Sequence, residues 1–350
     1  MQSDMNYTIG EYTNDSIRHL EEAWLILEKG DDMTYYQSYK WNMIIQHFTP
    51  QYKGICKLLY LLVKQGEKPL LIAPLWIIEK TFLFVNKKGA YLIGRKGWSD
   101  YLNFVYADCS NDVFKVLFDY IYSKLHLSLC CLEQIKEDTK LYAYLSQYVT
   151  LNKDCLTTCV SLMIPKGVDD YKQILSKKSR QNIRTANNRL NKDGRSIVFS
   201  FEDHPNLTIC ESMRQERVEV KNKFRIHSLK ELIKCLKNYL KNKFIISFPV
   251  FLPFYEDKSL RFVSAYIDGE LAAYFCYGLD EYHKKVVLMA VGTNNKFAKY
   301  SPGVLALYAY ILNLIERKEI SLLDFTRGDE KYKYSLGGVN HYIHDVSFNL

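Results

Sequence analysis

The chain has 350 residues, a formal charge of +8, 48% hydrophobic and 25% charged residues. That length asks for two cores rather than one, and the balance excludes a disordered polymer. The longest apolar runs, LLYLLV and Leu70 to Ile78, fall far short of the roughly 20 residues a membrane helix needs.

The opening MQSDMNYTIGEYTNDS is polar and acidic, without the basic start or apolar centre of a secretory signal. Nine cysteines stand in mostly apolar context with no CxxC, and the eight histidines are dispersed. The expectation is a cytoplasmic protein with reduced thiols and no metal.

In the N-terminal half KLLYLLV, a turn at QGEKP, LLIAPLWII, FLFV, YLIG and LNFVY read as strands. A helix over about Asn111 to Lys124 and the strand LSLCCLEQI complete this half. Next, Tyr171, Ile174, Leu175, Ile183, Ala186 and Leu190 keep one apolar stripe on a helix otherwise rich in Lys177, Lys178, Arg180, Arg184, Arg189 and Lys192. Such a helix fits an anionic partner, or is simply a solvated face. Two more helices are expected around Leu207 to Asn222 and Ser228 to Asn242.

The clearest signals come next. RFVSAYI alternates, Asp268-Gly269 supplies a hairpin turn, ELAAYFCYG returns, and HKKVVLMAVG adds a third strand. Ser301 suits a helix N-cap and Pro302 the first helical position, ahead of an apolar helix and the strand ISLLDF. The order is β-β-β-α-β, with a right-handed crossover. The fold class expected is α/β with a mixed α+β sheet, as two domains over residues 1–155 and 156–350 that repeat one plan.

A helix N-terminus offers unpaired N–H groups and a positive dipole end to a phosphate. Gly303 keeps no side chain in the way, and Lys299 stands where its ammonium meets the same anion. Lys299, Tyr300, Ser301, Pro302, Gly303 and Val304 are therefore candidate donor-binding residues; the alternative is a plain capped helix.

Amine acylation also needs a base, an acid and donors for an oxyanion. Asp324 or Asp329 could be the base and Tyr332 or Tyr300 the acid, with Lys331 beside them, and Arg327, Lys331 and Lys333 could hold an anionic acceptor. The alternative is an ordinary charged turn. Trp98, Ser99, Asp100 and Tyr101 mark a second strand boundary, open to the same two readings.

The tract Tyr171 to Gly194, IDGELAAYF, SPGVLALYAYI and LDFTRGDEKYKYSLG, with ILEKG, TYYQSYKWN, IAPLWI and GWSDYLNFV before them, resembles the CelD/BioF2-like acetyltransferase domain of the GNAT superfamily. The resemblance covers nearly the whole chain and extends to the Fem transferases, which use tandem GNAT folds.

It implies two GNAT-like domains and transfer of an acyl group, acetyl or longer, from acyl-CoA to a primary amine. The acceptor would be a small molecule or a glycan amine of polysaccharide or cell-envelope biosynthesis. It further implies acceptor contacts at Ser99, Asp100 and Tyr101, while Arg180 and Arg184 on the basic helix are candidates to bind an acceptor phosphate, CoA or RNA. The family's glycine-rich pyrophosphate loop is reduced here to Phe297 to Gly303. Two alternatives stand beside this reading: a Fem-like enzyme drawing on aminoacyl-tRNA, and a binding module without catalysis.

Overall fold

The structure is a computed structural model that describes residues 6–48, 55–82, 85–94, 99–223, 256 and 260–350. The chain forms two compact units, residues 1–159 with 341–350 and residues 160–340. The helix expected around Ser228 to Asn242 lies outside the described residues.

The first unit runs β1 (Tyr7–Tyr12), α1 (Glu21–Leu27), α2 (Tyr39–Phe48), β2 (Ile55–Gln65), β3 (Lys68–Phe82), β4 (Val85–Leu92), α3 (Asn111–Ser123), β5 (Leu129–Lys136), α4 (Lys140–Tyr148) and the start of β6 (Leu151–Met163). Strands β1 to β4 are antiparallel neighbours. Strand β5 lies parallel to β4 with α3 as the crossover. That helix buries Val113, Phe114, Leu117, Phe118 and Ile121, one face at helical spacing, each side chain worth ~2 kcal/mol of burial.

LNFVY, expected as a strand, is not one. A single bridge joins Val105 to Ile72, while Phe104 and Tyr106 are fully buried as packing residues and Tyr101 takes a left-handed backbone with φ 57°. Aromatic packing has overridden strand propensity here.

The second unit carries α5 (Val168–Ile174), α6 (Lys177–Lys192), β7 (Ile197–Asp203), α7 (Leu207–Lys223), β8 (Leu260–Ile267), β9 (Glu270–Asp280), β10 (Lys285–Thr293), α8 (Pro302–Arg317), β11 (Leu322–Arg327) and α9 (Lys331–Ser335). Its strands lie in the order β11-β10-β9-β8-β7, antiparallel except for the parallel pair β10–β11. Asp268 and Gly269 turn the β8–β9 hairpin with φ of 52° and 81°, the conformation the pair was expected to supply. The β-β-β-α-β order read from the sequence is present.

Helix α8 packs Leu305, Ala306, Tyr310, Ile311 and Leu314 into a core with Val263, Phe275, Val286 and Phe325. The basic tract is two helices rather than one, because Ser176 breaks it and caps α6 by accepting the Ser179 N–H at 3.0 Å. Ile174 consequently leaves the apolar stripe and is exposed. The last strand, β12 (Val339–Asn349), ends in the first unit, antiparallel to β5. No helix among the described residues is long and apolar enough to cross a membrane.

Candidate functional site

The site begins where β10 ends. Asn294 accepts the Lys296 N–H at 3.0 Å and starts a 3-10 turn over Asn295–Tyr300. Phe297 and Tyr300 anchor that turn by burying their rings. Ser301 follows with φ 51° and ψ 48°, and Pro302 opens α8. Ser301 occupies the N-cap position, but its side chain makes no capping bond. Its carbonyl instead accepts the N–H groups of Val304 and Leu305 at 3.0 and 3.1 Å. A Cβ on Gly303 would rest in ordinary contact with Thr293 and Ala273, so its missing side chain is not what a ligand exploits.

This helix end faces the basic helix. A groove of about 200 Å³ is lined by Ser179, Asn182, Ile183, Thr185, Ala186 and Arg189 of α6, by Ser301, Val304 and Leu305, and by Ser335 of α9. The α6 residues fall at spacings of three and four and so share one face. The lining is small, hydroxyl-rich and without a carboxylate, and Arg189 is its cation. Arg189 donates from Nη1 to the Lys299 carbonyl at 3.0 Å. The Lys299 ammonium lies 2.7 Å from Asp193 Oδ2 and 4.8 Å from the centre of the Tyr300 ring.

A second feature lies one strand over. Strands β10 and β11 pair only from Lys285–Leu322 to Val287–Asp324. At the parting point β10 has a bulge between Leu288 and Ala290, and it continues to Thr293. Parallel strands that part expose main-chain donors and acceptors to a third chain, which suits an extended amide-bearing ligand.

Asp324, the last β11 residue in the pairing, is buried, and its Oδ1 accepts the Thr326 N–H at 2.7 Å. Thr326, near the end of β11, takes φ 58°, and Gly328 in the loop beyond takes 105°; Lys333 holds this turn. That ammonium is buried and donates to the carbonyls of Thr326, Arg327 and Gly328 at 3.0, 2.8 and 3.0 Å. It also pairs with Glu330 at 3.1 Å.

The structure therefore sorts the expected residues. Tyr300, Ser301, Pro302, Gly303 and Val304 form the α8 end, with Lys299 at its rim. Asp324 sits where the strands part, while Arg327 at the end of β11, Asp329 on the loop and Lys331 at the start of α9 are exposed. Tyr332 is half-buried, edge-on to Phe325.

Several side chains are already engaged. Lys333 spends its donors on its own loop, so it shapes that loop instead of holding an acceptor. Arg180 donates from Nη1 to the carbonyls of Lys172 and Leu175 at 2.7 and 2.6 Å, closing the end of α5. Arg184 stays exposed. In the first unit, buried Ser99 accepts the Trp41 indole N–H at 2.7 Å, and Tyr101, also buried, bonds His341 through its hydroxyl at 3.0 Å. Asp100 is half-buried.

Sequence reasoning missed Ser179, Asn182, Thr185 and Ser335. For the three α6 residues the signal was a run of small polar side chains at a spacing of three; Ser335, on α9, had none. Among the described residues no three His, Cys, Asp or Glu side chains gather as a metal site requires.

Residues 250–334 match the model of an acetyltransferase (GNAT) domain family. No curated protein matches the chain in sequence. Among solved structures, FemX superposes with a TM-score of 0.64 at 10% identity, over 98% of this chain and 97% of that one. A tandem GNAT protein from the clavulanic acid biosynthesis pathway does so at 0.50 and 9%, over 98% of each. Identities this low speak to fold alone. Residues 250–334 thus match a GNAT acetyltransferase domain in sequence, and the chain as a whole has the fold seen in FemX and in a tandem GNAT protein.

Proposed function

We propose that the second unit is an N-acyltransferase that takes its acyl group from acyl-CoA, acetyl-CoA the first candidate, and gives it to a primary amine. The observation that carries this reading is the groove at the start of α8, where small hydroxyls and Arg189 line one space without a carboxylate. A diphosphate is the ligand such a lining suits. The parted strands β10 and β11 offer an adjoining slot for the amide-bearing arm and thioester of CoA.

In the reaction the amine nitrogen attacks the thioester carbon, the new C–N bond forms, and the C–S bond breaks. Asp324, buried at the parting point, is assigned as the base that takes the amine proton. The exposed Asp329 is the weaker candidate. Tyr332 is assigned to return a proton to the leaving thiolate, because the Tyr300 hydroxyl is already committed to Asp193. Lys331 and Arg327, both exposed near Asp324, are assigned to an anionic acceptor, such as an amino sugar carrying phosphate or carboxylate in polysaccharide or cell-envelope synthesis in the cytoplasm. Binding of acetyl-CoA by titration calorimetry, lost in Arg189→Glu, tests the donor assignment.

A second reading rests on α6 itself. It has six cationic and no acidic residues, and Lys177, Lys178, Arg184 and Lys192 lie exposed on it. That surface, on a FemX-like fold, suits an aminoacyl-tRNA donor. Binding of tRNA that weakens steeply with salt would favour it over CoA.

A further inference from the structure

Asp193 is the C-cap residue of α6, its N–H bonded to the Arg189 carbonyl at 3.0 Å. Its carboxylate reaches away from its own helix. Oδ2 accepts the Tyr300 hydroxyl at 2.6 Å and the Lys299 ammonium at 2.7 Å. With the Arg189 bond to the Lys299 carbonyl, the last turn of α6 grips the two residues just before Ser301 by three bonds.

The grip is itself anchored. Gly194 turns the chain with φ 64°, and Arg195 then pairs with Asp268 at 2.7 Å, whose Oδ1 accepts the Ser196 N–H at 3.0 Å. The end of α6 is thereby fixed to the β8–β9 hairpin and cannot simply follow α8.

The bonds at Asp193 are unequal. The Lys299 and Asp193 side chains are 62% and 34% exposed, and such surface pairs contribute little. The Tyr300 hydroxyl belongs to an otherwise buried side chain, and its bond to a carboxylate is short and charge-assisted. The Tyr300 ring cannot shift without breaking that bond, and Tyr300 leads directly into the left-handed Ser301 and the first amides of α8.

We propose that Asp193 is a positioning residue for the donor groove: through Tyr300 it sets the separation of α6 from the start of α8. This role rests on the donor reading above and adds a residue that touches no ligand.

The test measures CoA binding by calorimetry, with a thermal melt for each variant. Asp193→Ala and Tyr300→Phe should each weaken CoA binding about tenfold, and the double variant should be no weaker than either single, because both cut one tie. Asp193→Asn keeps an oxygen for the Tyr300 hydroxyl and should bind within about threefold of the parent. A purely structural role would lower the melting temperature and leave affinity unchanged.

If Asp193→Ala does not fold, Tyr300→Phe against Asp193→Asn carries the same comparison. CoA affinity unaltered in Asp193→Ala, or in Tyr300→Phe where that variant stands in, overturns the positioning role alone. A parent chain that binds no CoA overturns the donor reading and this role with it.

Discussion

The Lys333 ammonium donates to the Thr326 carbonyl at 3.0 Å across a seven-residue span, from a side chain only 2% exposed. Two further carbonyls share the same ammonium. Removing it would leave three carbonyl groups and Glu330 without the buried cation they share. Lys333→Met should therefore cost roughly 3 kcal/mol of folding stability, read as the shift of a urea transition at constant slope. A loss under 1 kcal/mol would show that the loop holds itself.

Arg189 faces the groove, and its guanidinium bonds the carbonyl of the exposed Lys299. Arg189→Gln should leave the melting temperature within a few degrees and weaken acyl-CoA binding by at least tenfold, the share expected of one guanidinium on a diphosphate. Equal affinity in parent and variant would place the anion elsewhere.

Ser301 holds φ 51° without a capping bond from its hydroxyl. A left-handed conformation costs a residue with Cβ roughly 1 kcal/mol. Ser301→Gly should accordingly be stabilising by about 0.5–1 kcal/mol, and Ser301→Val destabilising by more than 1 kcal/mol, in the same denaturation assay. A destabilised glycine variant would mean that the hydroxyl contributes something the bond geometry does not show.

Burial pushes the thiols of Cys210 and Cys276 up from 9.0 to about 12. The unfolded chain would release those protons near pH 9, while the folded chain keeps them. Their contribution is whole below pH 9 and falls as pH rises from 9 towards 12, by about 1 kcal/mol for each thiol at pH 10. Urea midpoints at pH 8 and pH 10 check the sign, and the double Cys→Ala variant should flatten the slope.

The most legible parts of the sequence were those set by neighbouring residues. Asp268-Gly269 fixed a turn, Ser301-Pro302 a helix start, and the apolar spacing of SPGVLALYAYI its buried face. What stayed hidden depends on partners far along the chain. Asp193 looks like a helix stop until Tyr300 is placed beside it, more than a hundred residues on.

Lys333 reads in DEKYKYS as a lysine for holding an anionic acceptor, yet the fold buries it. LNFVY has the composition of a strand but is spent on aromatic packing around a single bridge. Strand β12 was missed because a register shift between His344 and Val346 interrupts its alternation.

The central claim is that the start of α8, with Arg189 opposite, receives the diphosphate of an acyl donor. The most direct measurement is calorimetric titration of the purified chain with acetyl-CoA and with longer acyl-CoA species, alongside Arg189→Glu. The account expects one site per chain in the parent and none in the variant. No binding of any acyl-CoA by a folded parent chain would contradict it.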